Sequence, residues 1–201
     1  MEIEGINLDI KFLEILKMEL AADILTLETI IFKEAGETFN ISSPKQLGEI
    51  LFEKMELGKK TKKTKTGQYS TSEDVLTELS KKHSFAKKIL KFRSLTKLMS
   101  TYVDSLPNQV LDSTNRVHTE YLQTVASTGR LSSVNPNLQN IPIRTERGKK
   151  VRMAFVPKNE EYLLLAADYS QIELRIIASM SDEKKMIKAF NNNEDIHSST
   201  A

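Results

Sequence analysis

The sequence predicts an α+β fold in which a helical first half is followed by part of a mostly antiparallel sheet with flanking helices. Apolar residues recur every three or four positions through most of residues 8–105, which is the periodicity of amphipathic helices. Residues 116–125 are rich in β-branched and aromatic residues, and residues 162–167 form a short continuous apolar run, as strands do. The chain has 201 residues, which suffices for one large domain or two small ones.

The first two helices are marked by their ends as well as by their periodicity. The first is predicted over residues 8–34, and Gly36 follows as a break. Ser43 is a favourable N-cap, and Pro44 has the fixed backbone angle that suits the first helical position. The second helix is therefore predicted to begin there and to run to about Met55.

Two further helices are predicted before the sheet begins. Ser70 and Glu73 have the spacing of a capping box and are expected to open a short helix through Leu79. A longer helix is predicted over residues 84–105. Its apolar stripe is expected to face the core and consists of Phe85, Ile89, Phe92, Leu95, Met99 and Tyr102.

The second half of the chain has a different character. Residues 116–125 predict a strand, and residues 126–144 are polar and interrupted by proline and glycine, so they are predicted to be irregular. The apolar run Tyr162–Ala167 predicts a buried strand. Helices are predicted over residues 172–180 and 182–190.

The composition excludes several classes of protein. With 39% hydrophobic and 28% charged residues and no low-complexity tract, the chain is not mainly disordered. No apolar run approaches the roughly 18 residues of a membrane span, and the first residues are acidic where a signal peptide is basic, so a cytoplasmic protein without a membrane partner is predicted. The chain has no cysteine, which excludes disulfides, thiolate zinc sites and a cysteine nucleophile.

The carboxylates are the remaining candidates for metal binding. His83, His118 and His197 are too scattered for a ligand spacing such as H-x-x-x-H, so a bound metal would be a hard cation held by oxygen. Asp168 follows the predicted buried strand and directly precedes a predicted helix, a position that holds a carboxylate rigidly at the rim of a sheet. Many strand-end aspartates only cap the next helix, so both interpretations are open at this point.

The net charge of +2 conceals an uneven distribution of charge along the chain. Residues 57–103 carry 12 basic and 3 acidic residues, whereas residues 1–56 carry 5 basic and 12 acidic residues. Five of the lysines are clustered in one run: Lys59, Lys60, Lys62, Lys63 and Lys65. A lysine run can be no more than a solvated surface loop, but basic segments flanked by acidic ones favour a surface for a polyanion such as nucleic acid.

Several motifs resemble those of one family. The run Asp168-Tyr169-Ser170-Gln171-Ile172-Glu173-Leu174-Arg175 resembles motif A of the family A DNA polymerases, the bacterial DNA polymerase I type. Residues 128–133 and 135–142 resemble the primer-template contact segment of that family. Shorter motifs follow the family order at residues 39–43, 70–73, 95–98 and 195–197, so the resemblance covers nearly the whole chain. Ser127 and Asn135 depart from the pattern, where alanine and aspartate are usual.

The resemblance implies roles at a catalytic centre. Asp168 would be one of two catalytic aspartates that bind two Mg²⁺ ions, and the Tyr169 carbonyl would be a further metal ligand. Glu173 would be a steric gate that fills the space needed by a ribose 2′-hydroxyl and so selects dNTPs. His197 would approach the incoming triphosphate. Alternatively, Glu173 is a polar residue of the core and His197 a solvated side chain.

The resemblance also implies contacts with primer-template DNA. Arg130 would reach the minor-groove face of the primer terminus, and Asn137, Gln139 and Asn140 would contact primer or template nearby. Minor-groove acceptors are nearly alike in all base pairs, so donors there sense pairing without reading sequence. Alternatively, Arg130 is an ordinary surface residue. The basic residues expected to bind DNA are Lys59, Lys60, Lys62, Lys63, Lys65 and Lys97.

The same resemblance implies a division into subdomains. Residues 1–8 would lead into a palm, residues 9–106 would form a helical thumb, residues 107–190 a partial palm with motif A, and residues 191–201 the start of the fingers. In the family, the second catalytic aspartate and the triphosphate-binding helix lie further along the chain. We therefore expect a monomeric fragment of a DNA-directed DNA polymerase that is inactive alone. The alternatives are a DNA-binding module that never catalyses and a helical protein-interaction domain, which would leave the motifs unexplained.

Overall fold

The structure is a computed structural model that describes residues 1–58, 67–143, 145–192 and 194. The chain has two compact units, Met1–Tyr162 and Leu163–Ala201. In the described residues, helices dominate and the strands form short antiparallel pairs. The predicted α+β class is therefore confirmed.

Helix α1 extends over Ile10–Ala35, which confirms the first predicted helix. The Asp9 carboxylate accepts a hydrogen bond from the Phe12 amide at 2.9 Å and so caps the first turn. Gly36 ends the helix with a φ of 75°, and its amide donates to the Phe32 carbonyl. No helix in the part of the chain that the structure describes is long and apolar enough to cross a membrane.

Helix α2 extends over Pro44–Glu49, and a π-helical turn over Ile50–Lys54 continues it. The Ser43 hydroxyl accepts a hydrogen bond from the Gln46 amide at 3.5 Å. The predicted helix from Pro44 to about Met55 is therefore confirmed, together with its cap.

Helix α3 extends over Glu73–Ser80, so the short predicted helix is present but its predicted cap is wrong. The residue before its first turn is Ser72, whose backbone is extended, and Ser70 lies two residues further back. Helix α4 extends over Ser84–Leu98, and a π-helical turn over Met99–Val103 continues it. The long predicted helix is therefore confirmed.

The core of the first unit lies largely between α1 and α4. The predicted stripe of α4 is buried, except that Met99 is only partly covered. Each fully buried leucine contributes about 2 kcal/mol through the removal of apolar surface from water. The principal buried side chains are Leu13, Leu16, Leu20, Ile31, Phe85, Ile89, Phe92 and Leu95.

The strands form three antiparallel pairs in the described residues. Strand β1 (Asn7–Leu8) pairs with β6 (Phe155–Val156), β2 (Val110–Leu111) with β3 (Arg116–Val117), and β4 (Glu120–Leu122) with β5 (Ser132–Val134). The single strand predicted over residues 116–125 is therefore wrong, because only residues 116–117 and 120–122 are strand. The chain leaves one partner strand after β3 and joins another at β4, so no continuous ladder forms.

Helix α5 extends over Glu146–Met153 and has no counterpart among the predicted helices. Only two of its eight residues are buried, so it lacks a clear apolar stripe. Its basic side chains hold it to α1 instead. The Arg147 guanidinium lies 2.6 Å from the Asp23 carboxylate and also contacts Glu19, and the Lys150 ammonium lies 2.7 Å from Glu19.

The ion pairs of α5 predict a pH dependence of stability. Hydrogen bonds from Lys150 and then from Arg147 hold the pKa of the Glu19 carboxyl below its ordinary value. Such a carboxylate stabilises the fold above its unfolded pKa, and the stabilisation is lost as pH falls through its folded pKa. Glu19→Gln is therefore expected to lower the free energy of unfolding at neutral pH and to weaken its decrease between about pH 6 and pH 3.

Urea unfolding at several pH values measures this effect. Glu14→Gln removes an exposed carboxylate from the same helix and is the matched control. If the two variants showed the same pH dependence of unfolding, the assigned role of Glu19 would be wrong.

The second unit contains α6 (Ile172–Ser181) and α7 (Lys184–Asn191). The two helices pack through Ala178 of α6 and through Ala189 and Phe190 of α7. Both helices match the predicted ranges to within two residues. They form the short helical segment that follows Asp168.

The buried strand predicted over Tyr162–Ala167 is wrong for this structure. These residues have no regular secondary structure, and the Leu163 and Leu165 side chains are 91% and 92% exposed. A continuous apolar run becomes a buried strand only when neighbouring strands pair with it. No strand of the described residues pairs with this run.

Candidate nucleic-acid interface

One groove brings together three of the residues predicted to bind DNA. It has a volume of about 490 Å³ and lies between α4 with its π-helical turn and the segment after β5. Lys97 comes from α4, and Asn137 and Asn140 come from the segment. We call it the α4 groove, and its lining residues are Ser94, Lys97, Leu98, Thr101, Tyr102, Asn137, Asn140, Pro142 and Thr145.

The helical wall of the α4 groove follows from the amphipathic pattern of α4. Ser94, Lys97 and Thr101 are spaced three and four residues apart, so they share one face of the helix. The opposite face carries the apolar stripe that packs against α1. Burial of that stripe therefore fixes the direction in which Lys97 is presented.

The second wall is a segment held by its backbone. Leu138 and Ile141 pack against the main core, which anchors the segment on both sides of Asn140. The Tyr102 hydroxyl donates a hydrogen bond to the Asn140 carbonyl. Burial raises the pKa of the Tyr102 hydroxyl, so that group is protonated and able to donate at neutral pH. This hydrogen bond uses only the backbone of Asn140, and its exposed side chain lines the α4 groove.

Asn137 and Gln139 have different surroundings although both are exposed. The Asn137 side-chain oxygen accepts a hydrogen bond from the Gln139 amide at 3.0 Å, which closes a local turn. The Gln139 side-chain oxygen accepts from the Ser133 amide at 3.0 Å. Asn137 lines the groove, whereas Gln139 is tied through its side-chain oxygen to β5 and is not among the lining residues.

The end of the groove depends on a close approach between α5 and the segment before it. A Cβ atom at Gly148 would lie 2.6 Å from the Pro142 Cβ, so any larger residue would force the two apart. The Thr145 hydroxyl caps α5 by accepting from the Gly148 amide at 3.0 Å. A second cavity of about 700 Å³ adjoins the groove and shares Ser94, Leu98 and Thr145 with it.

Not all of the basic residues near α4 are available to a polyanion. The Lys88 ammonium lies 2.6 Å from the Glu34 carboxylate, and the Lys81 ammonium pairs with Glu78. The half-buried Arg93 guanidinium donates to the Thr71 carbonyl at 2.6 Å and therefore has a structural role. The charge count of this region overestimates the cationic surface that DNA could meet.

Arg130 lies outside the groove lining. It is exposed on the loop that joins β4 to β5, two residues before β5 begins. Gly129 precedes it with a φ of 74°, a left-handed conformation that glycine adopts without strain. The turn at Gly129 therefore sets the direction of the backbone at Arg130.

Asp168 and Tyr169 lie in the second unit, in the segment without regular secondary structure that precedes α6. Both side chains are exposed, and Glu173 is exposed in the first turn of α6. The Arg175 side chain folds back to donate to the Ser170 carbonyl at 2.9 Å. These contacts keep the turn after Asp168 close to the start of α6.

The oxygen donors of Asp168 and the Tyr169 carbonyl fit a hard cation such as Mg²⁺ in chemistry. They do not make a complete site by themselves. The described residues contain no group of three or more acidic or histidine side chains that could hold a metal ion. Lys59, Lys60, Lys62, Lys63, Lys65 and His197 lie outside the described residues.

Two residues have roles that the sequence patterns do not predict. The apolar stripe predicts only burial for Tyr102, but its hydroxyl donates to the Asn140 carbonyl. Arg175 has no implied role in its motif, but its side chain donates to the Ser170 carbonyl and lies 4.5 Å from the centre of the Phe190 ring. The polar hydroxyl of a core-facing tyrosine is the one sequence signal that indicates such a contact.

The chain is similar to one known protein family, to named relatives in that family and to a solved structure. The family described as DNA polymerase family A matches residues 10–201. DNA polymerase I of Synechocystis sp. is 52% identical over 202 residues, and that of Geobacillus stearothermophilus is 50% identical over 201 residues. Both alignments cover 100% of this chain, but only 20% and 23% of the relatives' own lengths.

A solved structure gives the same result. The POL domain of Pol1 from M. smegmatis, in complex with DNA primer-template and dNTP, is similar with a TM-score of 0.84 and 48% sequence identity. The similarity covers 96% of this chain and 34% of that chain.

Proposed function

This chain belongs to DNA polymerase family A, and from that premise we propose that it forms the part of a DNA-directed DNA polymerase that holds primer-template duplex. It also contributes one carboxylate, that of Asp168, to metal-dependent nucleotidyl transfer from dNTPs. The chain spans about a fifth to a quarter of the length of its curated relatives. The polymerase activity proposed here is that of a longer protein containing these residues.

The α4 groove is the observation that carries this proposal. It places one ammonium, that of Lys97, beside two primary amides, those of Asn137 and Asn140. An ammonium binds phosphate as a point charge, and amide NH₂ groups can donate to the minor-groove acceptors that all base pairs share. This combination suits a duplex that must be held firmly while its sequence is not read. Arg130, on the loop between β4 and β5, adds a guanidinium group with five N–H donors.

The proposed subdomains follow from the same premise. Residues 1–8 and 107–190 belong to the palm, residues 9–106 form the thumb, and residues 191–201 begin the fingers. On this assignment, the α4 groove lies between the thumb helix α4 and the palm segment with Asn137 and Asn140. Duplex held there is contacted by both subdomains at once, which favours one orientation of the primer end.

The catalytic roles are proposals for the second unit. Asp168 and the Tyr169 carbonyl would hold Mg²⁺, and Glu173 would exclude the ribose 2′-hydroxyl. When bound, the metal ions neutralise charge on the attacking and leaving oxygens. His197 would meet the triphosphate. The protein's own contribution is to place the Asp168 carboxylate next to the turn at Ser170, whose carbonyl accepts a hydrogen bond from Arg175.

A duplex-binding module without catalysis is the second candidate. The observation that favours it is that the α4 groove lies wholly within Met1–Tyr162, whereas Asp168 lies in the other unit. Duplex binding by the groove therefore needs no contribution from the segment that carries the carboxylate. Both candidates predict that the 201-residue chain binds duplex, and they differ in the requirement for Asp168 when a longer protein extends a primer.

Duplex binding by the isolated chain is expected to be independent of sequence and steeply dependent on salt. Labelled primer-template duplexes of two unrelated sequences, titrated at several salt concentrations, measure both properties. Each lysine that neutralises a phosphate contributes about 0.9 to the slope of log K against log salt. Changing Lys59, Lys60, Lys62, Lys63 and Lys65 to glutamine is expected to make this slope shallower.

Lys81→Gln combined with Lys149→Gln is the control for the loss of lysines that already have a partner, because each ammonium pairs with a glutamate three residues earlier. The control is expected to retain the slope of the unchanged chain. A strong preference for one duplex sequence, or no measurable binding at low salt, would contradict the proposed function. An unchanged slope in the lysine variant would mean that these five lysines do not neutralise phosphates of the duplex.

A further inference from the structure

Two hydroxyl groups are buried next to the segment that carries Asn137 and Asn140. The Ser133 side chain is 0% exposed and the Thr119 side chain is 6% exposed. Ser133 is the middle residue of β5, and Thr119 directly precedes β4. Neither residue belongs to the main hydrophobic core or lines the α4 groove. Burying a hydroxyl is unfavourable unless it is hydrogen-bonded, so the partners of this pair explain its presence.

The two hydroxyls form one hydrogen-bonded chain with the backbone of the segment. The Leu138 amide donates to the Ser133 Oγ at 2.9 Å, and that oxygen lies 2.7 Å from the Thr119 Oγ1. The Thr119 Oγ1 lies 2.8 Å from the Pro136 carbonyl and 2.9 Å from the Val134 carbonyl. A hydroxyl donates one proton, so Ser133 can donate to Thr119 while Thr119 donates to one of the two carbonyls at a time.

A further hydrogen bond joins the same strand to the segment from the other direction. The Ser133 amide donates to the Gln139 side-chain oxygen at 3.0 Å. Residues 136, 138 and 139 are thus all tied to Ser133 or Thr119. Asn137 lies between these tied positions, and Asn140 follows directly after them.

We propose that Thr119 and Ser133 are positioning residues for duplex binding, which fix the backbone of residues 136–139 so that Asn137 and Asn140 face the α4 groove beside Lys97. The inference rests on the proposed function of that groove. Neither hydroxyl touches DNA. Their contribution is to order the segment before the duplex binds. Binding then does not have to offset the entropy lost when the segment becomes ordered.

The same network gives Gln139 a different role from the one the motif suggests. Its side-chain oxygen is used by the Ser133 amide, so Gln139 belongs with the positioning residues rather than with the groove. We expect Gln139 to influence duplex binding through the shape of the segment. This distinguishes it from Asn137 and Asn140, which line the groove themselves.

Hydrogen–deuterium exchange tests the positioning step without DNA. Thr119→Val keeps the volume of the side chain and removes the hydroxyl, whereas Thr119→Ser keeps the hydroxyl. Thr119→Val is expected to speed exchange of the amides in residues 134–140 at least about tenfold, with α4 unchanged. Thr119→Ser is expected to behave as the unchanged chain. Ser133→Ala, which removes the acceptor of the Leu138 amide, is the second variant should Thr119→Val fail to fold.

Duplex affinity then tests whether the positioning matters for binding. Thr119→Val is expected to weaken the affinity about fivefold, and Thr119→Ser to restore it. Asn137→Ala with Asn140→Ala is expected to weaken binding by at least as much. Adding Thr119→Val to that double variant is expected to cause no further loss, because the residues that it positions are already gone.

The outcomes separate this inference from the proposed function. If the unchanged chain binds duplex and the asparagine variant binds weakly, the function stands; wild-type affinity in folded Thr119→Val and Ser133→Ala would then overturn the positioning role alone. An additive loss when Thr119→Val joins the asparagine changes would also overturn it, since a general structural role predicts additivity. Failure of the unchanged chain to bind duplex would overturn both.

Discussion

Replacing Asp168 with alanine is expected to reduce primer extension by about a thousandfold or more in a polymerase that contains this chain. Without that carboxylate, the metal ions would lose a ligand at the point where charge develops on the reacting oxygens. A suitable protein is DNA polymerase I of Geobacillus stearothermophilus in which these 201 residues replace the matching segment, since the two are 50% identical there. The measurement is the rate of single-nucleotide addition with Mg²⁺ and saturating dNTP.

Asp112→Ala is the control for this change, because it removes an exposed carboxylate from the turn between β2 and β3. Its rate of addition is expected to equal that of the parent chimera. The 201-residue chain alone is expected to add no nucleotide, since one carboxylate and one carbonyl do not fix two metal ions. Full activity of Asp168→Ala in the chimera would show that Asp168 is not the catalytic aspartate that the motif resemblance implies.

The second large effect is expected at Glu173, in the selection of the sugar. Glu173→Ala in the same chimera is expected to raise the rate of ATP incorporation relative to dATP about ten- to two-hundredfold. The side chain lies in the first turn of α6, five residues after Asp168, and its removal would open the space beside the sugar C2′. The ratio of kcat/KM for the two nucleotides measures the change.

Glu173→Gln separates size from charge in this test. It keeps nearly the same volume, so a steric gate is expected to remain closed and to reject ATP as the parent does. If Glu173→Gln admitted ATP as readily as Glu173→Ala, the carboxylate charge rather than its bulk would control selection. Unaltered discrimination in both variants would mean that Glu173 is not the gate.

The elements that could be predicted from the sequence are those defined by local signals. The period of α1 and α4, the break at Gly36 and the cap at Ser43 are properties of neighbouring residues, and the structure confirms them. Helix α5 could not be predicted because the residues that hold it in place are remote in the sequence. Arg147 reaches Glu19 and Asp23, more than 120 residues earlier in the chain, and no local pattern reveals such pairs.

The strand predicted over Tyr162–Ala167 failed for a related reason. Its composition suits a buried strand, but burial depends on partner strands that no local sequence can guarantee. The candidate site shows the same limit. Motifs named Lys97, Asn137 and Asn140 individually, yet only the packing of α4 brings them to one groove. Thr119 belongs to no motif, and Ser133 lies in the motif at residues 128–133 without an implied role, because both act on backbone atoms of another segment.

The most direct test of duplex binding by the α4 groove is the duplex affinity of a variant that lacks the groove donors. We predict that Lys97→Gln combined with Asn137→Ala and Asn140→Ala weakens binding of the 201-residue chain to labelled primer-template about 30- to 100-fold at fixed salt. A control with Lys158→Gln, Asn159→Ala and Asn108→Ala changes exposed residues outside the groove lining and should bind as the unchanged chain does. Wild-type affinity of the groove variant, with an unchanged unfolding midpoint, would show that the α4 groove does not hold the duplex.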